Sequence, residues 1–177
     1  MYLPSDDSLI LLDSLKYDET DKIIELGVGS GFIIDKLKCD FAVGTDLDVN
    51  SILYAKANLD DNVELVLCDS AEAFRMDSFD VAYFNPPYLP GNIDEDPKVI
   101  GGIDGSSVVK KMLNSSLSVI KENGSIFFVI SSNTASDEIL TKAGTIGEVH
   151  LIKRTRLFFE ELYVYMIKTK KVSKKQE

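Results

Sequence analysis

The chain has 177 residues, 45% of them apolar and 27% charged, with a formal net charge of −10. That is one soluble domain's worth of chain with a sizeable core, and no apolar run approaches the roughly 18 residues of a membrane span. The charge is uneven: residues 1–150 carry 11 basic and 26 acidic side chains, net −15, against 8 and 3, net +5, for residues 151–177, so the acidic body argues against tight unaided binding to nucleic acid.

The start, Met1-Tyr2-Leu3-Pro4-Ser5-Asp6-Asp7, lacks the basic n-region of a signal peptide, and a cytoplasmic location is expected. Cys39 and Cys68 follow no Cys-x-x-Cys spacing, and His150 is the only histidine. No metal site is expected within the chain, and both cysteines read as small core residues of a reducing compartment.

The first element is a helix led by Leu9-Ile10-Leu11-Leu12, with Ser5, Asp6 or Ser8 as its cap. After a polar loop over 17–21, Lys22-Ile23-Ile24-Glu25-Leu26 reads as a buried strand. It runs into Gly27-Val28-Gly29-Ser30-Gly31, and a helix is expected to begin over 32–37. Strand, glycine turn and helix form the first half of a nucleotide-binding unit. The spacing Gly-x-Gly-x-Gly differs from the dinucleotide pattern and points away from a pyrophosphate. Glu25, two residues before the first glycine, suits a cationic ligand or one with free amino or hydroxyl donors.

A second strand over 41–46 ends in Asp46, 15 residues after Gly31. A doubly wound fold places there the carboxylate that accepts from a ribose diol, with Asp48 as the competitor for the role. A helix over 49–59, a third strand over 63–69 ending in Asp69, and a short helix over 71–75 follow. A fourth strand over 80–84 leads into Asn85-Pro86-Pro87-Tyr88. Two prolines remove two N–H donors and hold φ near −65°, so the strand ends in a stiff turn whose carbonyls are free of local partners. Asn85 adds an amide and Tyr88 an aromatic plate with a polar tip. A cluster of acceptors beside an aromatic plate suits a planar substrate carrying an NH₂ group.

Residues 89–106 form a long irregular segment with Pro90, Gly91, Pro97, Gly101, Gly102 and Gly105, read as a mobile lid or substrate loop over the fourth strand. A helix over 107–121 ends at Asn123-Gly124, a fifth strand covers 125–130, and a helix covers 136–142. Extended segments over 145–153 and 157–168 suggest a terminal antiparallel hairpin. The domain is expected to cover residues 1–168, and residues 169–177 a flexible basic tail.

Glu-x-Gly-x-Gly-x-Gly, Asp46, Asp69 and Asn-Pro-Pro-Tyr, in that order, resemble a class I S-adenosylmethionine-dependent methyltransferase. The resemblance implies a Rossmann-like α/β fold: a mostly parallel seven-stranded sheet with an antiparallel C-terminal hairpin and helices on both faces. Asn-Pro-Pro-Tyr narrows the class to enzymes that methylate a planar NH₂ nitrogen, either adenine amines or, in HemK-like enzymes, a glutamine of a peptide release factor. Tyr2-x-Pro4-Ser5-Asp6-Asp7-Ser8, Gly101-Gly102-x-Asp104-Gly105 and the ending over 154–168 with Glu160-Glu161-Leu162 resemble the HemK-like group, and the likeness is greatest to its short archaeal and eukaryotic form. The implied substrate is the glutamine of a Gly-Gly-Gln motif, with adenine in RNA or DNA as the alternative. The implied cofactor is S-adenosyl-L-methionine, and the implied partner is a small zinc-binding activator protein, received at the strand carrying Val43.

The resemblance also assigns roles. Ser8, Glu25 and Gly27 would hold the methionine end of the cofactor, with Gly29 and Gly31 keeping the loop close. Asp46 would accept the ribose hydroxyls, and Asp69 the adenine amine, with Ser70 alongside. Asn85 and the Pro86 carbonyl would accept the substrate N–H groups, Pro87 would stiffen the turn, and Tyr88 would pack on the amide face.

Overall fold

Seven strands form one sheet: β1 (Lys22–Leu26), β2 (Phe41–Asp46), β3 (Val63–Leu67), β4 (Phe79–Phe84), β5 (Ile120–Ser131), β6 (Gly147–Arg156) and β7 (Glu161–Thr169), in the order β3-β2-β1-β4-β5-β7-β6. This computed structural model describes residues 5–170 except 61, 93, 95 and 97. Strands β1 to β5 pair in parallel, and β7 runs antiparallel to both β5 and β6. The expected Rossmann-like sheet with its antiparallel terminal hairpin is therefore present. Among the described residues four α-helices accompany it: α1 (Asp6–Leu12), α2 (Val49–Asn58), α3 (Ser107–Val119) and α4 (Asp137–Ile146).

The central strands are apolar at nearly every position because both sheet faces are covered. Successive residues alternate between two cores. Ile24, Leu26, Ala82, Phe84, Ile126 and Phe128 face Val109, Met112 and Leu113 of α3 and Ile139 of α4. Ile23, Val81, Tyr83, Phe127 and Val129 face Ile10 and Leu11 of α1 and Ala55 of α2. Phe84, Phe128 and Tyr165 stack across β4, β5 and β7, with ring centroids 5.6 and 5.8 Å apart. That ladder locks together the three strands on one side of the β1–β4 junction.

Several local expectations are corrected. The segment after the glycine turn forms only a 3₁₀ turn over Ile34–Lys36. Ile33, Ile34 and Leu37 are buried there, which anchors the short crossover to β2 by side-chain packing. Residues 71–75 form a turn and a bend without a helix, and β3 ends at Leu67. Helix α3 stops at Val119, and β5 already begins at Ile120, passing through Asn123 at φ 60°. The pairing with β4 shifts register between Phe79 and Val81, so 120–124 lies along the sheet instead of extending the helix. Val43 is 2% exposed and lies on β2, one strand in from the edge, so it cannot receive a partner. Strand β3 is the edge on that side.

Strand β7 runs through Thr169, one residue past the expected end of the domain. Most of the basic tail, residues 171–177, lies outside the described residues, as do Tyr2, Pro4 and Pro97. Among the described residues no helix is long and apolar enough to cross a membrane.

Candidate active site

The C-terminal ends of the parallel strands open into a cleft of roughly 950 Å³. Ligands of open α/β sheets bind at this end, where the strand order reverses. Here the reversal falls between β1 and β4. On one side stand Glu25, the glycine turn, Asp46 and Asp69, and on the other the Asn85–Tyr88 turn. Of the residues singled out above, all but Gly31 line the cleft. Gly31 serves the turn from behind: its N–H bonds the Val28 carbonyl at 2.8 Å, and a Cβ there would press on Leu59.

The glycine turn is held at φ 74°, 53° and 81° for Gly27, Gly29 and Gly31, the left-handed region that L side chains rarely adopt. Val28 N–H donates to the Thr45 carbonyl at 2.7 Å, and Gly29 N–H to Asp46 Oδ2 at 2.9 Å. Asp46 Oδ1 accepts from Asp48 N–H at 2.8 Å. Each Asp46 oxygen keeps a further lone pair, so the carboxylate is fixed in place and can still accept from a ligand. Asp48 is committed elsewhere. It caps α2, accepting from Asn50 N–H at 3.0 Å and Ser51 Oγ at 3.1 Å. The geometry therefore favours Asp46 over Asp48 for a diol.

Glu25 is 4% exposed at the end of β1. Burial pushes its carboxyl up to about 8, against the hydroxyl of Tyr83, which donates to Oε2 at 2.9 Å. A buried acid of this kind becomes a strong anchor once a cation arrives beside it. The same burial, with Glu25 beside it, raises the Tyr83 hydroxyl well above its ordinary range and keeps it a donor.

Asp69 and Ser70 form the turn after β3, with Ser70 at φ 51° and its hydroxyl donating to Asp69 Oδ1 at 3.0 Å. The Lys111 ammonium of α3 bonds Asp69 Oδ2 and holds the carboxyl below its usual range. Lys111 is 42 residues away in sequence, and nothing local announced the pairing.

At the Asn-Pro-Pro-Tyr turn Asn85 Nδ2 donates to Ser8 Oγ at 3.4 Å, while Asn85 Oδ1 is buried with no partner. An orphaned buried acceptor in a cleft fits a ligand that donates N–H. Tyr88 O–H donates to Asp7 Oδ2 at 3.0 Å. Asp7 is 3% exposed, and its Oδ1 accepts from Ser5 Oγ, Ser8 N–H and Ser8 Oγ at 2.6, 2.6 and 3.2 Å. Ser5 precedes α1 but makes no side-chain capping bond to the helix backbone. The acidic start of α1 thus serves the cleft more than the helix.

The segment after Tyr88 returns to brace the turn. Leu89 N–H donates to Val99 at 3.0 Å, and Gly101 N–H to the Leu89 carbonyl at 2.9 Å. A Cβ on Gly101 would collide with the Pro87 carbonyl, and one on Gly105 with that of Tyr88. The glycines near 101–105 thus let the return limb press against the backbone of the Asn-Pro-Pro-Tyr turn.

The family model of the methyltransferase small domain matches residues 5–159. A relative in Methanocaldococcus jannaschii, named for protein N5-glutamine methyltransferase activity, is 31% identical, covering 93% of this chain and 89% of its own. The catalytic subunit of the eRF1 methyltransferase of Schizosaccharomyces pombe is 26% identical, covering 82% and 80%. Among solved structures, the E. cuniculi Mtq2–Trm112 complex, described as methylating the eRF1 termination factor, superposes with a TM-score of 0.80 at 24% identity, covering 95% of this chain and 98% of that one.

Proposed function

The chain belongs to the methyltransferase small domain family, and from that premise we propose that it transfers a methyl group from S-adenosyl-L-methionine to the side-chain amide of a glutamine in a peptide chain release factor. The observation that carries the reading is the orphaned Asn85 Oδ1, a buried acceptor on a turn that proline has stripped of donors.

The residues present fit the cofactor. Glu25 would take its ammonium group, Asp46 its ribose diol, and Asp69 with Ser70 its adenine, with the glycine turn leaving room for the chain between. Bound there, the cofactor supplies a methyl group activated by a positive sulfonium.

The protein's own part is positioning. An amide nitrogen is a poor nucleophile because its lone pair is delocalised. Asn85 Oδ1 and the Pro86 carbonyl accept the two N–H bonds, which orients the nitrogen and stabilises the positive charge that grows on it during attack. Tyr88 packs on the amide face, fixed by Asp7. Holding nitrogen and methyl carbon in line is a large effect; well-oriented intramolecular reactions gain roughly 7–11 kcal/mol. The nitrogen's proton becomes far more acidic after transfer and leaves without a strong base at the turn.

A small zinc-binding activator protein belongs to the same reading. The solved relative is a complex with Trm112. Here the edge strand β3 and the exposed Leu47, Leu53 and Leu67 offer an apolar border that a partner would cover.

The test is transfer of labelled methyl to a folded release factor, to RNA, and to neither. Label on the release factor, lost in Asn85→Ala with only modest weakening of cofactor binding by calorimetry, is expected. Near-normal turnover by Asn85→Ala would sink the assignment, and label on RNA would favour the adenine reaction.

A further inference from the structure

Among the described residues two buried side-chain atoms lack a hydrogen-bond partner, Asn85 Oδ1 and Glu160 Oε2, and both residues line the same cleft. An unpaired buried acceptor weakens the folded state, so each calls for a reason. Asn85 has one in the reaction proposed above. Glu160 has none there.

The position of Glu160 narrows what it can do. It ends the turn between β6 and β7, closed by Leu157 N–H donating to the Glu160 carbonyl at 2.8 Å. The turn is pinned to the end of β5, where Ser132 N–H donates to the Glu161 carbonyl at 2.8 Å and Ser132 Oγ accepts from Glu161 N–H at 3.1 Å. The neighbouring carboxylate, Glu161, is satisfied by Arg154 and by the Tyr163 hydroxyl at 2.8 Å. Glu160 is left as the acceptor of a rigid turn.

The sheet order adds the direction. Glu25 and Asp46 stand at the ends of β1 and β2 and the Asp69 turn follows β3, all on one side of the β4 turn, while β7 lies beyond β5 on the other. Glu160 is therefore on the half of the cleft away from Glu25, Asp46 and Asp69. Just before it in the same turn, Phe158 and Phe159 are 100% and 98% exposed, an apolar pair open to solvent.

We propose that Glu160 is a substrate-orienting residue, accepting a backbone N–H of the protein loop that carries the target glutamine, with Phe158 and Phe159 packing on that loop. This rests on the protein-substrate reading. A carboxylate favours a peptide N–H and repels the phosphates of a nucleic acid. One fixed acceptor outside the reacting amide sets the direction in which the loop enters, and so which side chain reaches Asn85.

The experiment compares wild type, Glu160→Gln, Glu160→Ala and the double variant Phe158→Ala/Phe159→Ala, using the full chain, labelled cofactor and a folded release factor. Loss of a charge-assisted hydrogen bond predicts a KM for the release factor about ten- to a hundredfold higher in Glu160→Ala. Glu160→Gln keeps an acceptor and should recover part of this. Cofactor affinity by calorimetry should stay unchanged, and the melting temperature should not fall, since an unpaired buried group is removed. The double variant should raise the same KM severalfold without a folding defect, as both rings are exposed. Unchanged KM in Glu160→Ala, with wild type labelling the release factor, overturns this inference alone. A drop in cofactor affinity also overturns it. Wild type that labels RNA, or no release factor, overturns it together with the reaction on which it rests.

Discussion

Tyr88 donates its hydroxyl to Asp7 at 3.0 Å, across 81 residues of sequence. The bond joins the Asn-Pro-Pro-Tyr turn to the first helix, and it runs through a carboxylate that also holds Ser5 and Ser8. Through Ser8 Oγ the same network reaches Asn85 Nδ2.

Asp7→Ala should therefore loosen both sides of the acceptor cluster at once. We expect turnover to fall at least tenfold and stability by roughly 2–4 kcal/mol, as several bonds to one buried charge are lost. Tyr88→Phe, which keeps the ring and removes only the hydroxyl, should lose much less. Additive effects in the Asp7→Ala/Tyr88→Phe double variant, read by melting and by turnover, would show that the two residues act separately.

Asp46→Ala should weaken cofactor binding more than tenfold, because charge-assisted bonds to a diol are lost and the anchors of Gly29 and Asp48 go with them. Asp48→Ala should mainly fray the start of α2, at a cost near 1 kcal/mol. Equal affinity of wild type and Asp46→Ala in calorimetry would return the ribose role to Asp48.

Glu25 makes stability depend on pH. Its folded value of about 8 lies above the ordinary 4.5, so the folded chain binds a proton more tightly than the unfolded chain. Its contribution is full below pH 4.5 and is lost as the pH rises through 8. The unliganded protein should melt progressively lower across that window, and Glu25→Gln should flatten the slope. The cofactor's ammonium favours the ionised form, so binding should release a proton within the same window. Calorimetry in buffers of different ionisation enthalpy measures that proton; its absence would remove Glu25 from the cofactor's amino acid end.

Truncation after Lys170 should leave folding and catalysis nearly intact. Truncation after Lys168 should not, because the Thr169 hydroxyl donates to the carbonyls of Lys121 and Gly124 at 2.9 and 3.2 Å from a 5% exposed position. A lower melting temperature for the shorter chain alone is the expected result. Activity should also vary only mildly with salt. A substrate held by 6–10 phosphate contacts would lose about 10³–10⁵ in affinity between 50 and 200 mM.

Much of the fold was legible in the chain itself, for a local reason. Apolar runs such as Ile23 to Leu26 and Val81 to Phe84 specify parallel strands buried on both faces, and Gly27, Gly29 and Gly31 mark a turn that only glycine makes cheaply. Asp46 and Asn85 could be placed because each directly ends a strand, where any doubly wound sheet presents its ligands. Local pattern misled where tertiary packing was stronger. The expected helix after Gly31 is one 3₁₀ turn, and Ile120 to Gly124 joined β5 instead of extending α3.

Asp7, Tyr83 and Lys111 carried no sequence signal of their roles, since each acts on a group brought near only by the fold. Tyr83 reaches Glu25 across 58 residues, and Asp7 reaches Tyr88 across 81. The sequence by itself determined which strands are buried, where the backbone turns sharply and which side chains end the strands, because those follow from periodicity, proline and glycine. Only the tertiary structure decided that Asp46 is free to accept while Asp48 caps a helix, that Val43 is buried behind an edge strand, and that Asn85 and Glu160 each keep an unpaired buried oxygen. Whether a polar atom is satisfied depends on every neighbour the fold supplies, and no stretch of chain contains them all.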